Sequence, residues 1–404
     1  MKNFVKFVCL ALVLVMTLCA FASCSGTANT PADTDGADTD SSANNNAAGS
    51  TIKIGGIGPI TGGAAIYGIS VMNGMQIAVD EINAAGGICG AQIEYKFEDD
   101  VHDPETSVNA YNSLVDWGMN ALIGTVTTGP ALSVSPLAYE DRIFMLTPSA
   151  SSTDVTDGKD NVFQLCFSDP NQGTGSAQYI GENMKDSKIA IIYRNDDAYS
   201  QGIRDTFVAE AANHSLNIVY EGTFTDATST DFSVQLTGAK NAGADLVFLP
   251  IYYQPASVIF TQAAAMDYAP IFFGVDGMDG ILTMEGFDTK LAEGVYVLTP
   301  FSADSTDEAT VSFVTKYQDK YGEVPTQFAA DGYDCVYALK AACEKAGYTA
   351  DMNTEGLCDA LMTAMTEITV DGVTGAGMTW SADGSVNKAP MAVIIKDGAY
   401  VSAK

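Results

Sequence analysis

From Thr51 onwards, short apolar runs alternate along the chain with segments whose apolar residues recur at helical spacing. The run TIKI precedes a segment in which Val71, Met75, Ala78 and Ile82 share one helical face, and a glycine pair closes that segment. The runs QIEYKFEDD, ALIGT and IFMLTP follow, each separated from the next by a helical segment. Strands that alternate with helices in this way predict a parallel sheet wrapped by helices.

The same alternation restarts at KIAIIYRND, after a segment FSDPNQG that is predicted to be an irregular junction. The runs LNIVYEGTF, DLVFLPIYY, PIFFGVDG and VYVLTPF continue it, and a strand hairpin is predicted within MTWSADGSVNKAPMAVIIKDGAYV. Helices are predicted over 104–117, 201–213, 232–242, 256–266, 307–321, 329–346 and 355–364. The predicted fold class is α/β, with two similar doubly wound parallel-sheet lobes. Because ligands bind at the carboxyl ends of such strands, a ligand cleft is expected between the lobes.

The charge of the chain excludes one class of partner. Acidic residues number 50 and basic residues 19, which gives a formal net charge of −31. A surface of this sign repels phosphates, so no nucleic-acid binding is expected. Hydrophobic residues make up 47% of the chain and charged residues 17%, which is typical of a globular protein.

The N-terminus predicts export. Lys2 and Lys6 precede an uncharged apolar run over 7–22, which is shorter than the ~20 residues of a membrane span. The run ends in AFASC, which resembles the lipobox of bacterial lipoproteins and predicts a lipid on Cys24, although Phe21 stands where that motif prefers leucine. Ordinary signal cleavage that leaves Cys24 as a plain thiol is the alternative.

The segment 25–50 holds only small and polar residues, none of them an aliphatic residue larger than alanine. It cannot bury enough apolar area to order itself, and is predicted to be a flexible tether. With the lipid, it would hold an exported domain at the outer face of the cell membrane or in a periplasm.

Groups that could perform chemistry are scarce. The histidines, His102 in EDDVHDPE and His214 near a helix end, are both expected to be structural. The acidic cluster over 98–103 could hold a hard cation, but hydrogen bonds to neighbouring backbone are the preferred interpretation. The cysteines beyond Cys24 show no CxxC spacing and are predicted to be buried thiols. They are Cys89, Cys166, Cys335, Cys343 and Cys358. A disulfide among the last three is the alternative. No metal, no cofactor and no enzymatic activity are expected.

The glycine-rich stretch GGIGPITGGAAIYG, over 55–68, stands where a nucleotide-binding loop would lie. Its spacing approximates GxGxxG without matching it, and Pro59 interrupts the loop. Only the acidic pair Asp99 and Asp100 at the end of the next strand favours a nucleotide-dependent oxidoreductase. This function is therefore a remote alternative.

Three stretches in order carry a specific resemblance: KIGGIGPITGGAAIYG, GMQIAVDEINAAGGICGAQIEYKFEDDVHDPETSVNAYNSLVD and ALIGTVTTGPALSVSPLAYEDRIFMLTPSASS. Together they resemble the solute-binding components of branched-chain amino acid ABC transporters, the leucine/isoleucine/valine-binding family of type I periplasmic-binding folds. The resemblance covers essentially the whole chain after the tether. It implies a monomer that captures a small-molecule ligand, an amino acid with a branched-chain or similar side chain, by hinge closure and delivers it to an ABC permease in the membrane.

The resemblance also implies a polar site at the strand ends. Thr128 and Ser151 would supply hydroxyl and backbone N–H groups to the ligand carboxylate, with backbone contacts from Ser149 and Ala150. Asp276 would anchor the α-ammonium group, at a position where relatives often have glutamate. Helix capping and turn bonding are the alternative interpretation of the two hydroxyls.

Four aromatic residues, Tyr67, Tyr199, Tyr253 and Phe328, fall where family members line the side-chain pocket. Each could instead be an ordinary packing residue. Asp331 is expected to be a solvated or capping residue.

The predicted division is a lipoprotein signal peptide at 1–23, a tether at 24–50, an N-terminal lobe at 51–168 and 301–378, and a C-terminal lobe at 169–300 and 379–404. Binding proteins for amides, urea or aromatic acids and ligand-sensing receptors share the fold. The ligand and the role in transport or sensing therefore stay open.

Overall fold

The computed structural model describes residues 49–403. The signal peptide, the lipid on Cys24 and the tether up to residue 48 are predictions that lie outside the described residues. Within the described range no helix is long and apolar enough to cross a membrane.

The first sheet consists of parallel strands that are largely buried except for the edge strand β2. These strands are β1 (Thr51–Gly58), β2 (Gln92–Asp99), β3 (Ala121–Gly124), β4 (Phe144–Thr147) and β5 (Val162–Gln164). Their order across the sheet is β2-β1-β3-β4-β5. All residues of β3 and β4 are buried, which explains why these strands have unbroken apolar sequences.

Helices cover both faces of this sheet. They are α1 (Ala65–Ala84), α2 (Pro104–Trp117), α3 (Thr128–Glu140), α8 (Glu308–Tyr321), α9 (Gln327–Ala346) and α10 (Thr354–Met365). The backbones of α1 and α9 approach so closely at Gly74 that a Cβ atom there would lie 1.9 Å from the Ala329 carbonyl oxygen. The late helices thus return to the first sheet.

The second sheet is mixed. Its strands are β6 (Lys188–Arg194), β7 (Asn217–Phe224), β8 (Leu246–Leu249), β9 (Ile271–Gly274), β10 (Tyr296–Thr299), β13 (Met391–Lys396) and β14 (Ala399–Ser402). The order is β14-β13-β10-β9-β8-β6-β7, and β13 pairs antiparallel with both neighbours. Its helices are α4 (Asp169–Asn183), α5 (Ala198–Ala211), α6 (Ser233–Asn241) and α7 (Tyr253–Ala265). A small separate hairpin joins β11 (Val370–Gly372) to β12 (Gly375–Met378).

The predicted α/β class with two doubly wound lobes is confirmed. The prediction of an irregular junction at FSDPNQG was wrong, because α4 begins there at Asp169. Gly173 lowers the helical propensity of this segment but permits close packing on α5. A Cβ atom at Gly173 would lie 2.0 Å from the Thr206 Oγ1 atom. Tertiary packing therefore outweighs the local propensity.

The chain crosses from one sheet to the other after β5, after β10 and after β12. The described residues nevertheless belong to one compact unit by their contacts. The predicted site residues follow the carboxyl ends of β1, β3, β4, β6, β8 and β9, except Phe328, which lies in the first turn of α9. Of the cysteines for which a disulfide stayed open, Cys335, Cys343 and Cys358 are buried thiols that form no disulfide.

Candidate functional site

The first-lobe part of the site lies at the ends of β3 and β4. Thr128 is the first residue of α3, whose N-cap is Thr127 without a side-chain cap bond. Ser149 donates its hydroxyl to the Val126 carbonyl oxygen at 2.5 Å, and the Ala150 N–H donates to the Thr147 hydroxyl at 3.0 Å. The N-terminus of α3 therefore presents backbone N–H groups that the helix itself does not satisfy, beside buried hydroxyls.

The Ser151 hydroxyl is fully buried and has no hydrogen-bond partner among the described residues. It does not cap the short 3-10 helix Thr153–Val155, because Ser152 occupies that position and accepts from the Asp154 N–H. The structure thus provides no capping role for either predicted hydroxyl, at Thr128 or at Ser151. Ligand contact by these residues stays a prediction.

The second-lobe part of the site centres on Asp276, which follows β9 and is 4% exposed. Its Oδ1 atom accepts from the Tyr199 hydroxyl at 2.5 Å and from the Gly277 N–H at 2.6 Å. Burial raises the pKa of Asp276 to about 7, although both hydrogen bonds act to lower it. The backbone of Asp276 is held on both sides by glutamine side chains. Its N–H donates to the Gln172 Oε1 atom, and its carbonyl oxygen accepts from the Gln327 Nε2 atom.

Tyr67 connects the two lobes. Its hydroxyl donates to the Gly277 carbonyl oxygen at 2.5 Å and accepts from the Tyr253 N–H at 3.1 Å. Its ring centroid lies 4.9 Å from that of Tyr253 and 4.6 Å from that of Phe328. Three of the four predicted aromatic residues therefore form one cluster, and Tyr199 binds the neighbouring carboxylate of Asp276.

Sequence reasoning missed Tyr252. Its ring stacks on that of Tyr199, with centroids 4.8 Å apart and planes at 4°. The His102 ring lies edge-on to the Tyr252 ring, with centroids 5.5 Å apart. The run PIYYQP contained the signal, since two adjacent tyrosines follow the strand, but only Tyr253 was selected. The His102 Nδ1 atom lies 2.9 Å from the Thr127 hydroxyl, consistent with the structural role predicted for this histidine.

These side chains surround one small space between the lobes. Its lining consists of Tyr67, Val126, Thr127, Ser149, Tyr199, Tyr252, Asp276, Gly277 and Phe328. The volume open to the centre of a water-sized sphere is about 10 Å³, roughly enough for one water molecule. The lobes are therefore closed on each other, and a molecule larger than water enters only after they separate. The predicted residues Thr128, Ala150, Ser151 and Tyr253 do not line this remaining space.

The interpretation of Asp331 was wrong. It is 2% exposed and pairs with Lys388, whose Nζ atom lies 3.1 Å from its Oδ1 atom. Burial raises the pKa of Asp331 to about 6, against the opposing effect of Lys388. A carboxylate already paired within the protein is a poor candidate for a ligand contact.

The acidic loop after β2 bonds to backbone. Asp99 accepts from the Ile60 N–H at 2.9 Å, and Asp100 accepts from the His102 N–H at 2.9 Å. Asp103 caps α2. In the part of the chain that the structure describes, no group of three or more His, Cys, Asp or Glu side chains is arranged to hold a metal ion.

Known proteins resemble this chain over most of its length. The model of a family described as periplasmic binding protein matches residues 51–399. The Leu/Ile/Val-binding protein homolog 3 of Brucella melitensis is 33% identical over 307 residues, which are 76% of this chain and 82% of that protein. The branched-chain amino acid transporter substrate-binding protein LivJ of Streptococcus pneumoniae, solved in complex with isoleucine, is 29% identical with a TM-score of 0.79, over 88% of this chain and 99% of that one. The leucine-binding protein LivK of Thermotoga maritima is 26% identical with a TM-score of 0.79, over 88% and 98%.

Proposed function

The chain belongs to the periplasmic binding protein family, and from this premise we propose that it is the solute-binding component of an ABC importer for amino acids. The ligands would be leucine, isoleucine, valine or amino acids with similar side chains, as the names of its relatives given above indicate for those proteins. The resemblance predicted from the sequence is confirmed by these comparisons. Family membership also implies export.

The proposal rests on one observation: an acidic group from one lobe and hydroxyl groups from the other lobe line the same closed space. A buried carboxylate, Asp276, faces it from the second lobe, while Thr127 and Ser149 face it from the first lobe beside the N-terminus of α3. A carboxylate suits an ammonium group, and hydroxyls beside a helix N-terminus suit a ligand carboxylate. Tyr67 and Phe328 supply the apolar wall that an aliphatic side chain requires.

We propose that binding is hinge closure without chemical change of the ligand. The ligand enters between separated lobes, and its contacts with both lobes stabilise the closed arrangement. In that arrangement Tyr67 of the first lobe bonds to Gly277 and Tyr253 of the second. The permease then distinguishes the closed, loaded protein from the open one.

The anchor, the oligomeric state and the lobe boundaries are part of the same proposal. AFASC and the polar segment behind it support a lipid on Cys24 and a tether. The protein would act as a monomer at the outer face of the membrane, since a binding protein with one cleft per chain needs no second copy. Metabolic labelling with a fatty acid, compared between wild type and Cys24→Ala, tests the lipid directly.

The test of the ligand class is a thermal-shift and calorimetry screen of the purified full-length protein. The panel contains the standard amino acids, benzoate, acetamide and urea. We expect leucine, isoleucine and valine to raise the unfolding temperature, because a ligand at 100 times its Kd adds ~2.7 kcal/mol to the stability. If only benzoate or an amide raised it, the amino-acid assignment would be wrong.

A further inference from the structure

A second cavity lies beside the carboxyl end of β10. Its volume is about 230 Å³, and none of its lining residues lines the space between the lobes. Strands β10, β13 and β14 of the second sheet supply part of its wall, and the segments 279–283, 301–303 and 324–326 supply the rest. The cavity is therefore built where the second crossing leaves the second sheet and where the chain leads into α9 of the first lobe.

Most of the wall is apolar or aromatic. The side chains of this kind include Leu282, Val297, Phe301, Val324, Val393 and Tyr400. An apolar cavity of ~150 Å³ in a protein stays dry and binds benzene. The larger volume here accommodates an aromatic ring or a branched alkyl group, whose burial adds hydrophobic and dispersion free energy.

One part of the wall is polar. Thr326 is the N-cap residue of α9 but makes no side-chain cap bond, and it is 8% exposed. Its hydroxyl has no hydrogen-bond partner among the residues that the structure describes. A buried hydroxyl of this kind favours an occupant that brings a donor or an acceptor of its own.

The polar part also contains an acidic group. Asp279 is 6% exposed, and its carboxylate oxygens accept from the Gly280 N–H at 2.8 Å and the Gln327 N–H at 2.7 Å. Burial raises the pKa of Asp279 to about 6, against these hydrogen bonds, so the group is ionised at pH 8. A carboxylate in the wall repels an anionic occupant. The two backbone donors already balance part of its charge, and the apolar walls penalise a charged occupant of either sign.

We propose that this cavity is a second ligand site, for an uncharged molecule that has an apolar ring or branched chain and one hydroxyl group directed at Thr326. The site is separate from the space between the lobes and does not rest on the proposed function. Carboxylic acids and free amino acids are disfavoured there, because their charges would lie against apolar walls beside Asp279.

The first test compares three probes that share a ring and differ in charge. Saturation-transfer NMR at pH 8 measures the affinity of the full-length protein for benzyl alcohol, benzoate and benzylamine, with and without saturating leucine. We expect benzyl alcohol to bind at least tenfold more tightly than either charged probe, and to remain bound when leucine is present. Stronger binding of benzoate or benzylamine would overturn the ligand class. Complete competition by leucine would place the alcohol between the lobes and overturn the second site.

A matched pair of substitutions locates the binding. Val324 lines the cavity and is 51% exposed, so Val324→Trp adds a large ring at its outer edge and should weaken benzyl alcohol binding at least tenfold. Val311→Trp is the control, because Val311 is 48% exposed on α8 and is not part of the lining. The control should leave the affinity within twofold. Equal binding by wild type and Val324→Trp would overturn the site.

Thr326→Val tests the polar contact without filling the cavity. The two side chains have similar shapes, so toluene should bind as in wild type, while the ratio of benzyl alcohol affinity to toluene affinity should fall at least threefold. An unchanged ratio would overturn the role of Thr326, and this variant decides if Val324→Trp does not fold. Failure of every probe to bind would show that the cavity holds only water and would overturn the proposal. If benzyl alcohol binds as expected but leucine does not bind, the second site stands and the proposed function fails.

Discussion

Two regions of this molecule bury carboxylates to a similar extent but treat their charge differently. Beside the start of α9, Asp331 is paired with Lys388, whose side chain is fully buried. In the cleft, Asp276 accepts from Tyr199 and Gly277, and its hydrogen bonds within the described chain include none from a basic side chain. The protein supplies a cation to one carboxylate and only neutral donors to the other.

The difference is the one expected between a structural ion pair and the proposed binding site. A buried pair such as Asp331 and Lys388 has its charge neutralised in every conformation that keeps the two side chains together. We propose that the Asp276 carboxylate gains a cation only when a ligand is present, so that binding relieves its cost of burial. Perturbed carboxylates in a cleft are candidate functional groups for this reason.

The largest expected effect is on the structural pair. Lys388→Met leaves Asp331 buried without its cation and should lower the free energy of unfolding by about 3–5 kcal/mol. Urea denaturation of the ligand-free protein measures the change. The double variant Lys388→Met/Asp331→Asn should recover much of the loss, because it removes the stranded charge.

A matched control for this variant is Lys340→Met. Lys340 forms an exposed i,i+4 pair with Glu344 on the same helix, α9. Pairs of that kind contribute about 0.3–0.5 kcal/mol, so the control should change the unfolding free energy little. An equal loss in both variants would show that the buried pair has no special role.

The second effect concerns the unpaired carboxylate. Asp276→Asn should weaken leucine binding about 100-fold, close to 2.7 kcal/mol, because a charge-assisted contact to the ammonium group becomes a neutral one. The ligand-free protein should be as stable as wild type or more stable. Calorimetry and urea denaturation together separate affinity from stability.

Asp279→Asn is the control for this substitution. Asp279 lies on the same loop, is 6% exposed and accepts from the Gly280 and Gln327 N–H groups. It does not line the closed space, so its neutralisation should affect stability more than leucine affinity. Normal leucine binding by Asp276→Asn would contradict the assignment of the ammonium anchor.

Much of the fold was predictable because its apolar runs are short and unambiguous. The sequences ALIG and FMLT are buried on both faces and bounded by helical segments, which leaves little choice of structure. The helix α4 was missed because Gly173 and its neighbouring glycines argue against a helix when considered locally. The reason for Gly173 is the close approach of α5, which depends on residues far along the chain.

The place of Asp276 and Tyr199 beside the space between the lobes was predictable, because each stands alone after a strand end. The site was not predictable where the exact start of a helix decides which side chain faces the cleft. The helix predicted from residue 256 begins at Tyr253, and Tyr252 at its N-cap stacks on Tyr199. The pairing of Asp331 with Lys388 joins residues 57 positions apart, and no local pattern indicates it.

The third effect is the pH dependence of the cleft. Burial raises the pKa of Asp276 from 3.8 to about 7, so between these values the folded protein binds more protons than the unfolded one. The stability of the ligand-free protein should therefore fall as the pH rises through this interval. Leucine affinity should change in the opposite direction, because the ammonium group favours the ionised carboxylate. We expect binding about tenfold weaker at pH 6 than at pH 8, since one pH unit below the pKa corresponds to a tenfold factor.

Calorimetry at both pH values measures this change, and Asp276→Asn should reduce the dependence. The paired Asp331 provides the contrast, since neutralising it should leave the pH dependence of binding in place. Equal leucine affinity at pH 6 and pH 8 in wild type would contradict the model of an unpaired carboxylate.

The smallest effect tests the contact by which the first lobe meets this carboxylate loop. In Tyr67→Phe the Gly277 carbonyl oxygen and the Tyr253 N–H both lose their bond to the Tyr67 hydroxyl in the closed form, whereas water can satisfy them once the lobes open. The closed form should lose about 1 kcal/mol relative to the open form, and leucine affinity should fall about fivefold. The control is Tyr111→Phe, which removes a hydroxyl bonded to Asp141 within the first lobe and should lower stability without changing affinity. Part of the binding free energy of the ligand drives lobe closure. Tyr67→Phe should therefore also shift the X-ray scattering of the ligand-free protein toward that of the open form. A fall in affinity with no such shift would mean that Tyr67 acts on the ligand alone and not on closure.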